Sequence, residues 1–307
     1  MNWLRLNRTN ITLCVVLAMV VAAFTASGSL AAKPCHSSES ECAKDQVAAS
    51  STLRPSMISS PNWAGYVATA PKGKKPLTFK TVTGTWTVPS VRCTAGKGPT
   101  YSTIWVGIGG FTQTRQEEVG TDANCTKAGK PSYYAWFELV PFLATPAVIK
   151  DKVKAGDTVT GRVKFLNPKL IQFRLQNKTE GWTFTRKVNW ATNDQTTADW
   201  VVESPAECKL QKCQEASLAN FHHATMRNIS AVANGSSGNL SNRRWEVVPI
   251  RLVPSLMTVP FVSQTALSAG HNGLTGQAAS PAGATPSKPS ADGRSFSWTW
   301  LKVARGI

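Results

Sequence analysis

Acidic residues are scarce in this chain. Asp and Glu number 17 against 34 Lys and Arg, a formal net charge of +17, and there are only four His. That balance excludes an acidic tail or a cation-storing polyanion. Cys-x-x-Cys pairs and His pairs at helical spacing are missing as well, which leaves no zinc site to propose. No apolar stretch reaches the roughly 20 residues that a spanning helix needs. The nearest candidate, Ile11 to Phe24, follows Arg5 and Arg8 and precedes small residues around Ser29, Leu30 and Ala31. This order predicts a signal peptide over residues 1–31, cleaved near Ala31, and hence a secreted, extracellular protein.

Of the seven cysteines, Cys14 lies in that leader, so six would enter an oxidising compartment: Cys35, Cys42, Cys93, Cys125, Cys208 and Cys213. An even number there favours disulfides. Local spacing suggests Cys35 with Cys42 and Cys208 with Cys213, leaving Cys93 with Cys125, although spacing does not fix connectivity. The basic residues are scattered apart from Lys72, Lys74, Lys75 and Lys80, and no nucleic-acid-binding motif accompanies them. The charge therefore predicts adhesion to an anionic cell envelope and no nucleic-acid partner.

Residues 32–60 are polar and aperiodic, as in a linker or short pro-segment. From 61 to 307 the chain shows short runs rich in Val, Thr, Trp and Phe, punctuated by Gly, Pro and Asn. Nine or more such runs predict an all-β domain of two packed sheets. A composition of Ala, Gly, Ser and Pro over 263–292 predicts a flexible excursion before a last aromatic strand. Alternation then assigns faces, because neighbours along a strand point to opposite sides. Ile104, Val106 and Ile108 fall opposite Trp105. Tyr134, Trp136, Glu138 and Val140 share one side, as do Asp199, Val201 and Glu203. The polar or aromatic side of each suits a substrate-lined surface.

Eight strings recur in order: NWAGYV at 62–67, GTWTVPSV at 84–91, WVGIGG at 105–110, EEVGTD at 117–122, YYAWFELVP at 133–141, AGDTV at 155–159, ADWVVESP at 198–205 and DGRSFSWTW at 292–300. Together they resemble the glutamic peptidase (eqolisin) family, as in a secreted member of bacterial type. The resemblance implies a β-sandwich of two curved antiparallel sheets, like the lectin and glucanase folds of concanavalin A type, with its site on the concave face. It implies a metal-free, cofactor-free endopeptidase acting on polypeptides, expected as a monomer, with Glu203 as the catalytic carboxylate. Trp105, Trp136 and Glu138 would line the substrate site.

The chain departs from the family pattern twice. Glu118 occupies the place of the family's catalytic Gln, and Gly109 that of an acidic residue. A Gln amide donates at any pH, whereas a carboxyl donates only when protonated. Glu118 facing Glu203 would then share a proton with it, confining activity to acid, about pH 2 to 5. Gln116, on the same side as Glu118 in an extended strand, is the alternative source of an amide near the substrate. A catalytically inactive relative binding carbohydrate or protein is the alternative function.

Overall fold

The computed structural model describes residues 56–142, 146–209, 212–253, 258–260 and 282–302, with backbone only at 206–209, 212–215 and 258–260. The leader 1–31, most of the linker, Cys35, Cys42 and residues 263–281 lie outside the described residues. No helix occurs among the described residues. The strands, in order, are β1 (Ile58–Ser60), β2 (Trp63–Thr69), β3 (Phe79–Thr87), β4 (Thr103–Gly109), β5 (Gln116–Cys125), β6 (Pro131–Val140), β7 (Ala147–Ile149), β8 (Thr158–Asn167), β9 (Leu170–Asn177), β10 (Trp182–Asn189), β11 (Thr197–Glu203), β12 (Ala206–Lys209), β13 (Lys212–Glu215), β14 (His223–Ala233), β15 (Ser236–Gly238), β16 (Glu246–Leu252), β17 (Thr258–Pro260), β18 (Ala282–Pro286) and β19 (Phe296–Lys302).

Two layers form from these strands. The back layer runs β10-β9-β8-β3-β14-β19 and the front layer β16-β2-β11-β4-β5-β6-β7. They are joined edge to edge by β18, which pairs with β19 and touches β16 through Leu252 and Ala284. A separate small sheet is made of β12, β13 and β17. The expected all-β sandwich is thus present.

Alternation explains how the layers bury one another. Val82 and Trp86 of β3, Val163 of β8 and Phe173 of β9 meet Ile104, Val106 and Ile108 of β4 and Trp200 and Val202 of β11 in one core. The large aromatics there carry polar N–H groups, which need partners in a dry interior. Each finds one in the opposite layer. Trp86 donates to Thr121 Oγ1 at 2.8 Å, Trp200 to the Thr83 carbonyl at 2.9 Å and Trp298 to the Ala64 carbonyl at 2.9 Å. These bonds fix the lateral registration of the layers, which apolar contact alone would leave loose.

Two boundaries differ from the sequence reading. The fold begins before residue 61, because β1 pairs in parallel with β16 from Ile58 to Ser60. The excursion expected over 263–292 contains strand β18, whose small residues Ala282, Gly283 and Ala284 are buried where β16 and β19 come together. Small residues fit a crowded seam, so composition typical of a loop here marks close packing. The Cys93–Cys125 disulfide forms as the remaining pair of the expected set. The backbone register of β12 and β13 sets Cys208 opposite Cys213.

Candidate active site

Strand register builds the site on the outer face of the front layer. Along one row Trp63 (β2), Glu203 (β11), Thr103 (β4), Asp122 (β5) and Tyr134 (β6) are neighbours. Four residues along each strand, the row is Val67, Asp199, Gly107, Glu118 and Glu138. Between them lies a row containing Val201, Trp105, Gly120 and Trp136. The period of two thus gathers the carboxyls from three strands onto one surface. Glu118, Asp122, Glu138 and Glu203 line a single cavity of about 190 Å³, together with Tyr101, Thr103, Tyr134, Trp136, Pro146 and Pro205.

Glu203 is held at both oxygens. Asn62 Nδ2 donates to Oε1 at 3.0 Å, and Trp105 Nε1 donates to Oε2 at 2.8 Å. Trp63 packs edge-on to Trp105, with ring centroids 5.0 Å apart. Burial pushes the Glu203 carboxyl up to about 7, although the Trp105 and Asn62 donors pull the other way. Glu138 is pushed up to about 8 by burial and by the nearby Glu203, while a hydrogen bond shared with Glu118 lowers it. Glu118 is raised well above the usual carboxyl range by burial first, then by Glu138, Glu203, Asp199 and Glu117. Of the three glutamates, Glu203 is the one best supplied with donors, so it ionises first and the Glu118–Glu138 pair keeps its protons longer.

Asp122 forms a second anchored carboxyl. It accepts from Trp136 Nε1 at 2.7 Å and from Asn124 Nδ2 at 2.8 Å. Burial raises its pKa, and burial together with the neighbouring Asp122 raises that of Tyr134. Both tryptophans on this face therefore follow one plan, with the indole N–H aimed at a carboxyl. Gly120 permits it, because a Cβ there would stand 2.7 Å from Trp105 Cβ and 2.8 Å from Trp136 Cζ2.

The expected site residues divide accordingly. Glu203, Glu118, Glu138 and Trp136 come together in the cavity. Trp105 does not line it: the side chain is fully buried and serves the Glu203 carboxyl. Gln116 also stays out, one row beyond Glu118, with its side chain packed beside Gly110. Gly109 has φ of 82°, and a Cβ there would meet the Arg115 and Asp194 carbonyls at 2.6 Å, so a side chain is excluded on two counts. Asn62, Asp122 and Thr103 were not singled out, although Asn62 and Asp122 stand within the recurrent strings; Tyr134 was placed on the right face by alternation but not named for the site. Parity along β5 was the available signal, since Glu118, Gly120 and Asp122 share a face. No cluster of His, Cys, Asp and Glu among the described residues is arranged to hold a metal ion.

A β-sandwich whose front face carries a cavity lined by buried carboxyls matches known proteins. The sequence model of the Peptidase A4 family matches residues 61–266. Aspergillopepsin-2 of Aspergillus niger is 28% identical over 226 residues, covering 66% of this chain and 75% of that protein. Scytalido-glutamic peptidase, solved with a transition state analog inhibitor, superposes with a TM-score of 0.57 at 21% identity, over 78% of this chain and 98% of its own. SCP-B, an eqolisin solved with the tripeptide Ala-Ile-His, gives 0.54 at 20% identity over the same shares. The chain belongs to the Peptidase A4 family, the glutamic peptidases or eqolisins.

Proposed function

We propose that this chain is a secreted endopeptidase, active near neutrality, in which ionised Glu203 activates water and protonated Glu118 replaces the amide of the family's Gln. The observation that carries the reading is the convergence of Glu118, Glu138 and Glu203 on one cavity, with Glu203 fixed by Asn62 and Trp105. Ionised Glu203 takes a proton from water as the water oxygen bonds to the scissile carbonyl carbon. Glu118 donates a hydrogen bond to the oxyanion that develops. Glu203 then returns the proton to the amine nitrogen as the C–N bond breaks, so one water is consumed and the carboxylate is regenerated.

Glu138 contributes by standing directly across the β5–β6 pairing from Glu118. One proton held between the two carboxyls keeps Glu118 a donor at a pH where a lone carboxyl in water would be ionised. Trp136 and Tyr134 provide flat walls for peptide side chains.

The processed protein, incubated with a denatured protein substrate from about pH 2 to about pH 8, is expected to cleave it at a rate that rises toward about pH 7 as Glu203 ionises and falls once the Glu118–Glu138 pair loses its proton. Glu203→Gln, which keeps the shape and loses the base, should lower kcat/KM by about a thousandfold or more. Cleavage by neither form, alongside saturable binding to a polysaccharide, would instead support the binding-module reading.

A further inference from the structure

The two faces of the sandwich carry opposite chemistry. Every strand of the back layer, β10, β9, β8, β3, β14 and β19, lacks Asp and Glu altogether, while the buried carboxyls carried on strands all lie in the front layer. On the outer face of the back layer, Arg162 (β8) stands directly opposite Arg174 (β9). One step along, Lys164 (β8), Gln172 (β9) and Lys187 (β10) form a second row. At about 4.8 Å per strand and about 6.7 Å per two residues, the four cations occupy a patch of about 10 by 7 Å.

Like charges directly opposite on neighbouring strands destabilise a sheet. Among the described residues no carboxylate on the face offsets the cost. Arg162 and Arg174 donate only to the neutral amides of Gln172 and Gln176, at 3.2 and 3.4 Å. Among the described residues the one ion pair, Lys154 with Glu180, does not involve them. Unopposed guanidinium pairs are suited to bidentate capture of carboxylates or other oxyanions.

We propose that the outer face of β8, β9 and β10 is a binding surface for an acidic polysaccharide, with Arg162, Arg174, Lys164 and Lys187 pairing to its carboxylates. The surroundings favour a carbohydrate polymer. Most outward positions carry Thr, Gln, Asn and Lys, which hydrogen-bond to hydroxyls; Leu166 and Leu170 lie together at one end, and no aromatic side chain is present on which a nucleic-acid base could stack. Because this face is the back of the sandwich, a bound polymer leaves the carboxyl-lined cavity of the front layer open. The proposal does not depend on the peptidase reading.

The test uses the full processed chain and polygalacturonate as the probe. The wild-type protein is expected to bind it with an affinity that falls steeply with salt. The quadruple variant R162Q/K164Q/R174Q/K187Q should bind at least about tenfold more weakly with a flatter salt dependence. A charge-matched control, K72Q/K74Q/K75Q/K130Q, should keep affinity within about twofold. Circular dichroism spectra unchanged in both variants, with urea midpoints no lower than that of the wild type, exclude misfolding as the cause. Equal losses in the two variants would mean that bulk charge binds the polymer and would overturn the proposal. So would no binding by the wild type, or equally tight binding of duplex DNA or anionic vesicles through the same four residues.

Discussion

Trp105 shows how much the chemistry of one carboxyl depends on a residue that does not line the cavity. Its indole N–H reaches Glu203 at 2.8 Å, and its ring is packed against Trp63. A hydrogen bond to an ionised group contributes about 1.5 to 3 kcal/mol, more than a neutral one. Trp105→Phe keeps most of the packing and removes that donor. The Glu203 pKa should then rise further, so the rising limb of the pH–rate profile should move to higher pH and kcat should fall about tenfold or more. An unchanged limb would show that the bond does not set the Glu203 ionisation.

At this scale the sequence was informative about identity and silent about contact. Glu203, Glu138 and Trp136 were legible because the recurrent strings carry them and alternation puts each on the right face. The partnership of Asn62 with Glu203 was not, since 141 positions separate the two and only the pairing of β2 with β11 brings them together. Asp122 was passed over for a different reason. A lone Asp in a strand reads as exposed, and its burial follows from Trp136 and Asn124 closing over it.

At the scale of the element, β5 departs furthest from what alternation leads one to expect. All ten of its residues, Gln116–Cys125, are buried. One side faces the core through Val119, and the other lies under Trp105, Trp136 and the cavity wall. Sequence periodicity distinguishes two faces but not whether both are covered. Gly120 sits at the middle of this strand beneath both tryptophans. Gly120→Ala should cost about 1 to 3 kcal/mol through overpacking. The same substitution should reduce kcat/KM, because the indoles would move off Glu203 and Asp122. Urea denaturation and kinetics on one preparation check both, and an active, equally stable variant would contradict the close approach of the rings.

Strand β18 is the converse case. Its Ala, Gly and Pro gave no strand signal, yet it joins the two layers, because small residues fit a seam where three strands crowd. The sandwich itself was legible, since many short alternating runs leave few other arrangements.

For the molecule as a whole, the concentration of buried acids governs stability. Glu117, Glu118, Asp122, Glu138, Asp199 and Glu203 all have pKa values raised, with burial the first cause in each. A carboxyl whose folded pKa exceeds its unfolded value binds its proton more tightly in the native state. Its contribution is complete below the unfolded pKa, about 4, and is lost as pH climbs toward the folded one. The fold should therefore be most stable in acid. The urea midpoint is expected to fall between about pH 4 and about pH 8. A midpoint that rises over that interval would show that these carboxyls are ionised and stabilised in the native protein.

The proposed mechanism requires the same protons at the site. In it Glu118 acts in place of a Gln only while a proton remains on the Glu118–Glu138 pair, so the falling limb of the wild-type profile is expected to report that pair. The most direct measurement is kcat/KM against pH for the wild type and for Glu118→Gln. The variant is expected to stay active and to extend its activity upward in pH, because an amide donates without a proton that can be lost. Superimposable profiles, or a variant without activity at any pH, would contradict the role given to Glu118.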